Sequence, residues 1–243
     1  MVLSVDNTLL LAMLVGVLGG LVRGTTGFGA AMVMTPLLAL MVGPRVAVPV
    51  TLLLEAFAAA PMVPAAVALA RWRVIGPISL AACSTVPLGG LLLSLASAGT
   101  LRRLIALTVI AFALALLYGR RYQGAPRLGT SLVLGSLSGG MLGATSMGAP
   151  PIILYLLSGP DPAAVTRANL TLYIIVISVA GLVMLAATGL LDLHAATLAA
   201  WLAPGFVLGI VIGSRLFSRL TDERFRRLTM VFMMLVALGV LIA

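Results

Sequence analysis

The chain has 243 residues, 62% of them hydrophobic and only 9% charged, with a mean hydropathy of +1.23. Soluble domains run near 45–50% apolar and about 25% charged, so a soluble enzyme, a nucleic-acid-binding domain and a disordered chain are excluded. The net charge of +9 comes from 15 basic residues, all arginine, set between apolar runs, where they act as membrane-topology signals.

A lone cysteine, Cys83, forms no internal disulfide, and a lone histidine, His194, cannot build a His-rich metal site. With no lysine and no Walker Gly-Lys-Ser/Thr sequence, no ATP hydrolysis and no cofactor are expected. Residues 1–8 contain Asp6 and no arginine, so they lack a signal peptide's basic region and the first apolar run is expected to be retained.

Eight apolar runs follow in chain order: 9–42, 46–70, 74–98, 101–118, 128–158, 163–190, 195–217 and 225–243. A span needs about 20 apolar residues. The first and fifth runs are too long for one span, and both are interrupted. The first breaks at Arg23-Gly24-Thr25-Thr26-Gly27-Phe28-Gly29. The fifth breaks at Gly143-Ala144-Thr145-Ser146-Met147-Gly148, followed by Ala149-Pro150-Pro151. The arm 9–22 would measure about 21 Å, short of a bilayer, so each broken run is read as two half-helices, broken or re-entrant. Irregular backbone at membrane depth persists only where protein buries it or a cavity borders it.

The broken runs match each other. Gly16, Gly20, Gly24 and Gly29 recur as Gly135, Gly139, Gly143 and Gly148, a constant shift of 119, and Thr26 recurs as Thr145. Gly43-Pro44-Arg45 pairs with Gly159-Pro160-Asp161, and Leu101-Arg102-Arg103-Leu104 with Phe225-Arg226-Arg227-Leu228. The chain reads as two repeats, 1–122 and 123–243, forming one integral membrane domain. Arginine placement orients them. Parallel halves of four spans divide the arginines nine to five. Inverted halves place eleven (71, 73, 120, 121, 127, 167, 215, 219, 224, 226, 227) on one side and three (45, 102, 103) on the other. The positive-inside rule favours the inverted arrangement, with both termini outside.

Inverted repeats with interrupted helices are a pattern of secondary transporters. A broken helix leaves N–H groups unpaired at the start of its second half, a setting for an anion. Arg23, Thr25, Thr26, Gly27, Phe28 and Gly29 are the candidates at the first break; Gly143, Ala144, Thr145, Ser146 and Gly148 those at the second. Arg23 has no counterpart in the second repeat and is read as the anion ligand, dispensable for folding. Its alternative is a topology residue at the membrane surface. The glycines could instead be tight packing stripes. Packing is the better reading for Gly205, Gly209 and Gly213, which are also candidates for a homodimer contact. Glu55 is the only acid well inside an apolar run. It could carry a coupling proton, pair with Arg23 or face a water-filled vestibule. Arg167 and Asn169 precede its approximate repeat partner, Thr171. Asn169 could reach the second break or cap an interface. A hydrolase built on Ser146 and His194 is disfavoured, since no rhomboid-like Gly-x-Ser-Gly is present.

The segment Gly19-Gly20-Leu21-Val22-Arg23-Gly24-Thr25-Thr26-Gly27-Phe28-Gly29-Ala30-Ala31, then Pro36 and Gly43-Pro44-Arg45-Val46-Ala47, resembles the N-terminal signature of the TauE/SafE sulfite exporter family. Gly139-Gly140-Met141-Leu142-Gly143-Ala144, followed by Gly148-Ala149-Pro150-Pro151, is similar to its second glycine motif, and 209–216 with the arginines beyond it also fits. Ala144-Thr145-Ser146-Met147 departs from the richer glycine run typical there. The resemblance covers nearly the whole chain. It implies a permease for small, mostly sulfur-containing anions (sulfite, sulfonates, thiosulfate or related organic acids), with residues 25–29 and 143–148 at the site.

The expectation is therefore an all-α polytopic protein of the inner membrane, with about eight apolar segments in two inverted repeats. It moves a small anion through a midplane site and is not an enzyme. The alternatives are an anion channel and a non-transporting accessory subunit. The expected partners are the anion and the lipid bilayer, with no nucleic acid.

Overall fold

In hydrocarbon every backbone N–H and C=O must find a partner inside the protein, and a continuous helix does this within one segment. A computed structural model describes residues 5–117, 127–157, 159 and 161–217, and every regular element among them is helical. In chain order these are α1 (Val5–Thr26), α2 (Ala30–Met41), α3 (Pro44–Ala59), a 3₁₀ turn (Ala60–Met62), α4 (Val63–Leu69), α5 (Trp72–Leu95), α6 (Ala98–Leu117), α7 (Leu128–Thr145), α8 (Ala149–Leu157), α9 (Ala163–Ala187) and α10 (Leu193–Phe217). Six stretches are long and apolar enough to cross a membrane: Asn7–Thr26, Pro44–Leu69, Trp72–Leu95, Ala98–Ala115, Ala164–Ala187 and Leu193–Leu216. The run at 225–243 lies outside the described residues.

Both interruptions fall where the glycines and hydroxyls stand, but the arms are unequal. α1 has 22 residues, not 14, because the helix begins four residues earlier, in the polar segment holding Asp6, Asn7 and Thr8, and continues four residues further, through Arg23 to Thr26. At 1.5 Å per residue it measures about 33 Å, a full span rather than a half-helix. Its continuation α2 has 12 residues, while α7 has 18 and α8 only 9. The short helices turn back beside the long ones. A Cβ on Gly19 of α1 would run into the Met34 side chain of α2. Ser131 and Tyr155 share a 3.0 Å hydrogen bond, and the Ser138 hydroxyl donates to the Gly148 carbonyl, so α8 returns along α7. The second run also differs from a single helix: Pro61 and Pro64 stand where it tightens into the 3₁₀ turn between α3 and α4.

The long arms pack across the two halves. Cβ atoms on Gly20 and Gly24 would strike the backbone of α10 at Phe206 and Ile210, and Gly209 and Gly213 lie equally close to α1. Gly135, Gly139 and Gly143 sit on the backbone of α5 at Ile78, Ala82 and Val86. Positions rise together in both pairs, so α1 runs parallel to α10 and α7 parallel to α5. The glycine stripes are thus packing surfaces. The stripe at Gly205, Gly209 and Gly213, weighed as a homodimer contact, is occupied by α1 of the same chain.

Hydrogen bonds at the helix ends fix the remaining directions. Arg45, at the start of α3, donates to the carbonyls of Leu93 and Ser94 at the end of α5, and Arg102 donates to Ala39 at the end of α2. At the opposite end Arg71 pairs with Asp161 at 2.5 Å. Ile75 of α5 clusters with Ala168 and Leu172 of α9, and Gly90 lies beside Met184, so α5 and α9 are parallel. The molecule therefore has an Arg45 end and an Arg71 end.

Candidate anion site at the two helix breaks

The first break forms because the threonine hydroxyls bond backward. Thr25 donates to Leu21 (2.9 Å) and Val22 (2.8 Å), and Thr26 to Val22 (2.7 Å), while Phe28 N–H donates to the Thr26 hydroxyl at 3.2 Å. Gly27 then takes φ = 80° and Gly29 φ = 85°, left-handed conformations that end α1 and admit α2. At the second break Thr145 donates back to Met141 at 2.7 Å, and Ser146 adopts φ = 61°. Ser146 is Gly27 shifted by 119, so both breaks turn at corresponding positions, one with glycine and one with serine. Pro150 and Pro151 fall in the first turn of α8, where no N–H is missed.

The Ser146 hydroxyl shares a 2.6 Å hydrogen bond with Thr35 of α2, and Thr35 donates to Thr51 of α3 at 3.3 Å. This hydroxyl chain ties the second break to α2 and α3. Ser146→Gly should keep the fold, since it removes the left-handed strain along with the hydroxyl. Ser146→Val puts a β-branched residue at positive φ and should lower stability by about 1–3 kcal/mol. Thermal unfolding of the purified variants separates the two; equal loss in both would assign the cost to the hydroxyl alone.

Arg23 and Glu55 form an ion pair buried inside the helix bundle, each residue 7% exposed. Glu55 Oε1 also accepts the Ala31 N–H at the start of α2 (3.3 Å). Of the readings open for these residues, direct pairing is the one found, and Arg23 is not at the surface. The arginine has a carboxylate partner in this conformation.

A cavity of about 30 Å³ touches both breaks, with Phe28 and Gly29 on one side and Ser146 and Met147 on the other. Glu55 and Ser178 add its remaining polar groups. That is space for one or two waters. Phe28 also borders an open vestibule of about 720 Å³ at the Arg71 end, lined by Arg23, Thr26, Gly27, Arg167 and Thr171 among others.

Several expected site residues stand elsewhere. Thr25 and Thr145 are buried with their hydroxyls committed to their own helices. Gly143 packs on α5, Gly148 on Ser138 and Leu142, and Ala144 is buried; none borders either cavity. Asn169 does not reach the second break: its Oδ1 accepts the Arg71 N–H at 2.7 Å, capping the turn before α5, and its Nδ2 has no partner among the described residues. Ser178, which lines the small cavity, and the vestibule face of Arg167 were missed. So was Thr35, which borders neither cavity but hydrogen-bonds Ser146 at the second break; the return of α2 along α1 brings it there, and no local spacing announces that.

A family model described as sulfite exporter TauE/SafE matches residues 12–240. The chain belongs to that family. No curated protein and no solved structure matches it. TauE/SafE is a transporter family rather than an enzymatic one. With six span-length apolar helices among the described residues, this TauE/SafE protein is a multi-pass membrane protein.

Proposed function

We propose that this TauE/SafE protein is a secondary transporter. It carries sulfite, a small sulfonate or a related sulfur-containing anion across the cytoplasmic membrane, through the site between its two breaks. The observation that carries the reading is the placement of both breaks on one buried cavity, which meets an arginine-bearing vestibule at Phe28. The opposed directions of α1 and α7, with α2 and α8 folding back, support inverted repeats with re-entrant hairpins. They also support gathering Arg71, Arg127, Arg167 and Arg215 at one end and Arg45, Arg102 and Arg103 at the other. By the positive-inside rule the Arg71 end faces the cytoplasm, both termini lie outside and the vestibule is open inward.

The coupling follows from the ion pair. An anion that engages Arg23 competes with the Glu55 carboxylate. Glu55, once released, can take up a proton, which links anion movement to proton movement. Its hold on the Ala31 N–H would loosen in the same event, freeing the start of α2.

The test is reconstitution in liposomes, with movement of sulfite, a small sulfonate, a dicarboxylate and chloride followed with and without a pH gradient. Saturable, gradient-dependent movement of sulfite or the sulfonate is expected. Fast, unsaturable chloride flux would instead make the protein a channel, and movement of none would favour an accessory subunit.

A further inference from the structure

We infer that Arg167 is the vestibule's anion-capture residue, the first binding point for a sulfite or sulfonate group before it reaches Arg23. This rests on the transporter reading above and names the group that meets the anion from solution. Arg167 is solvent-exposed on the second turn of α9 and borders the vestibule together with Thr26, Gly27 and Thr171. Its Nη2 lies 4.0 Å from the point where a Cβ on Gly27 would stand, so the guanidinium lies close over the first break. A volume of about 720 Å³ is typical of a small-molecule site.

Charge accounting singles this residue out. Among the described residues, Glu55 is taken by Arg23 and Asp161 by Arg71. Asp192 caps α10 at the far end by accepting the Ala195 N–H, and Asp6 lies at the start of α1, also at the far end. No carboxylate among the described residues is within ion-pair distance of Arg167. Among the described residues, the vestibule thus holds two guanidinium groups, of which one is paired with a carboxylate and one is not. A guanidinium presents parallel donors that fit two oxygens of a planar or tetrahedral oxyanion. One negative charge on the ligand satisfies Arg167 with the Arg23–Glu55 pair intact, and a second charge requires Glu55 to leave Arg23. Monovalent sulfonates should therefore bind through Arg167 with the pair closed, and divalent anions should bind more tightly when the pair can open.

The test uses the full chain, purified and reconstituted, with sulfite and methanesulfonate as probes. Both anions should raise the unfolding temperature of the parent protein. Arg167→Gln should raise the half-saturating concentration at least tenfold and leave the maximal transport rate within about twofold. Arg167→Lys should fall between the two. Ala164→Glu, which sets a carboxylate one turn before Arg167 on the same wall, should weaken both anions without removing the arginine, and so keeps the test valid should Arg167→Gln misfold. Unchanged half-saturation in Arg167→Gln, or in Ala164→Glu, would overturn the assignment. A parent protein stabilised by neither anion would also overturn it. Stabilisation that depends on Arg167 without any transport would uphold the capture site while rejecting the transporter reading.

Discussion

Glu55→Gln is expected to unfold at a markedly lower temperature than the parent, and sulfite should partly restore it. The substitution leaves the Arg23 guanidinium buried with its counter-charge gone. Breaking one side of a buried ion pair costs on the order of 3–5 kcal/mol, because the remaining charge has lost both water and partner. Arg23→Gln should cost less, since Glu55 keeps the Ala31 N–H as a partner. The double variant Arg23→Gln/Glu55→Gln should recover much of the loss, because two amides can hydrogen-bond where two charges had to neutralise each other. Thermal unfolding of the three variants in lipid nanodiscs gives the coupling directly. Strict additivity of the single losses would mean that the pair contributes nothing. In liposomes Glu55→Gln should lose accumulation driven by a pH gradient but retain anion exchange; if both persist unchanged, Glu55 is not the proton carrier.

Gly139→Ala and Gly140→Ala should give opposite results although they are neighbours on α7. A Cβ at Gly139 would overlap the Ala82 backbone carbonyl and crowd the Thr85 hydroxyl, so α5 must move away. Overpacking of this kind costs about 1–3 kcal/mol and sometimes more, and here the obstacle is backbone rather than a flexible side chain. At Gly140 nothing among the described residues lies within 4 Å of the added methyl. Alanine there should be neutral or stabilising by up to about 1 kcal/mol, the usual helix-propensity difference. Gly20→Ala repeats the experiment at the α1–α10 contact, where the obstacle is the Phe206 carbonyl. The yield of folded protein and its unfolding temperature are the readouts. Similar behaviour of Gly139→Ala and Gly140→Ala would reject the close-packed stripe.

Local chemistry made part of this legible before any coordinates. Glycine and threonine clusters in apolar runs end helices for reasons contained within a few residues, so both breaks could be placed. Glu55 stood out because a lone acid in an apolar run demands a partner, and Arg23 was one of the readings. What could not be read depended on tertiary return. Thr35 and Ser178 look like ordinary polar residues in apolar helices until α2 folds back. The threonines of the breaks were read as donors for a ligand, whereas a threonine inside a helix satisfies itself on the carbonyl three or four residues earlier. The length of α1 was underestimated because hydropathy excluded Asp6, Asn7 and Thr8 and because Arg23 to Thr26 were assigned to the break, whereas the helix includes both stretches. Arg167 was noted only as a neighbour of Asn169, since its significance lies in the absence of a nearby acid and not in its own surroundings in sequence.

The crossed pairing of the long arms bears on how the protein is made. α1 and its close partner α10 are synthesised more than 160 residues apart. Until α10 is made, the face carrying Gly16, Gly20 and Gly24 has no groove to enter, while α5 likewise waits for α7. Neither half can complete its own packing during synthesis. The first half must therefore wait in the bilayer with its close-packing faces uncovered, and the two halves mature as one unit once α10 and α7 are in place.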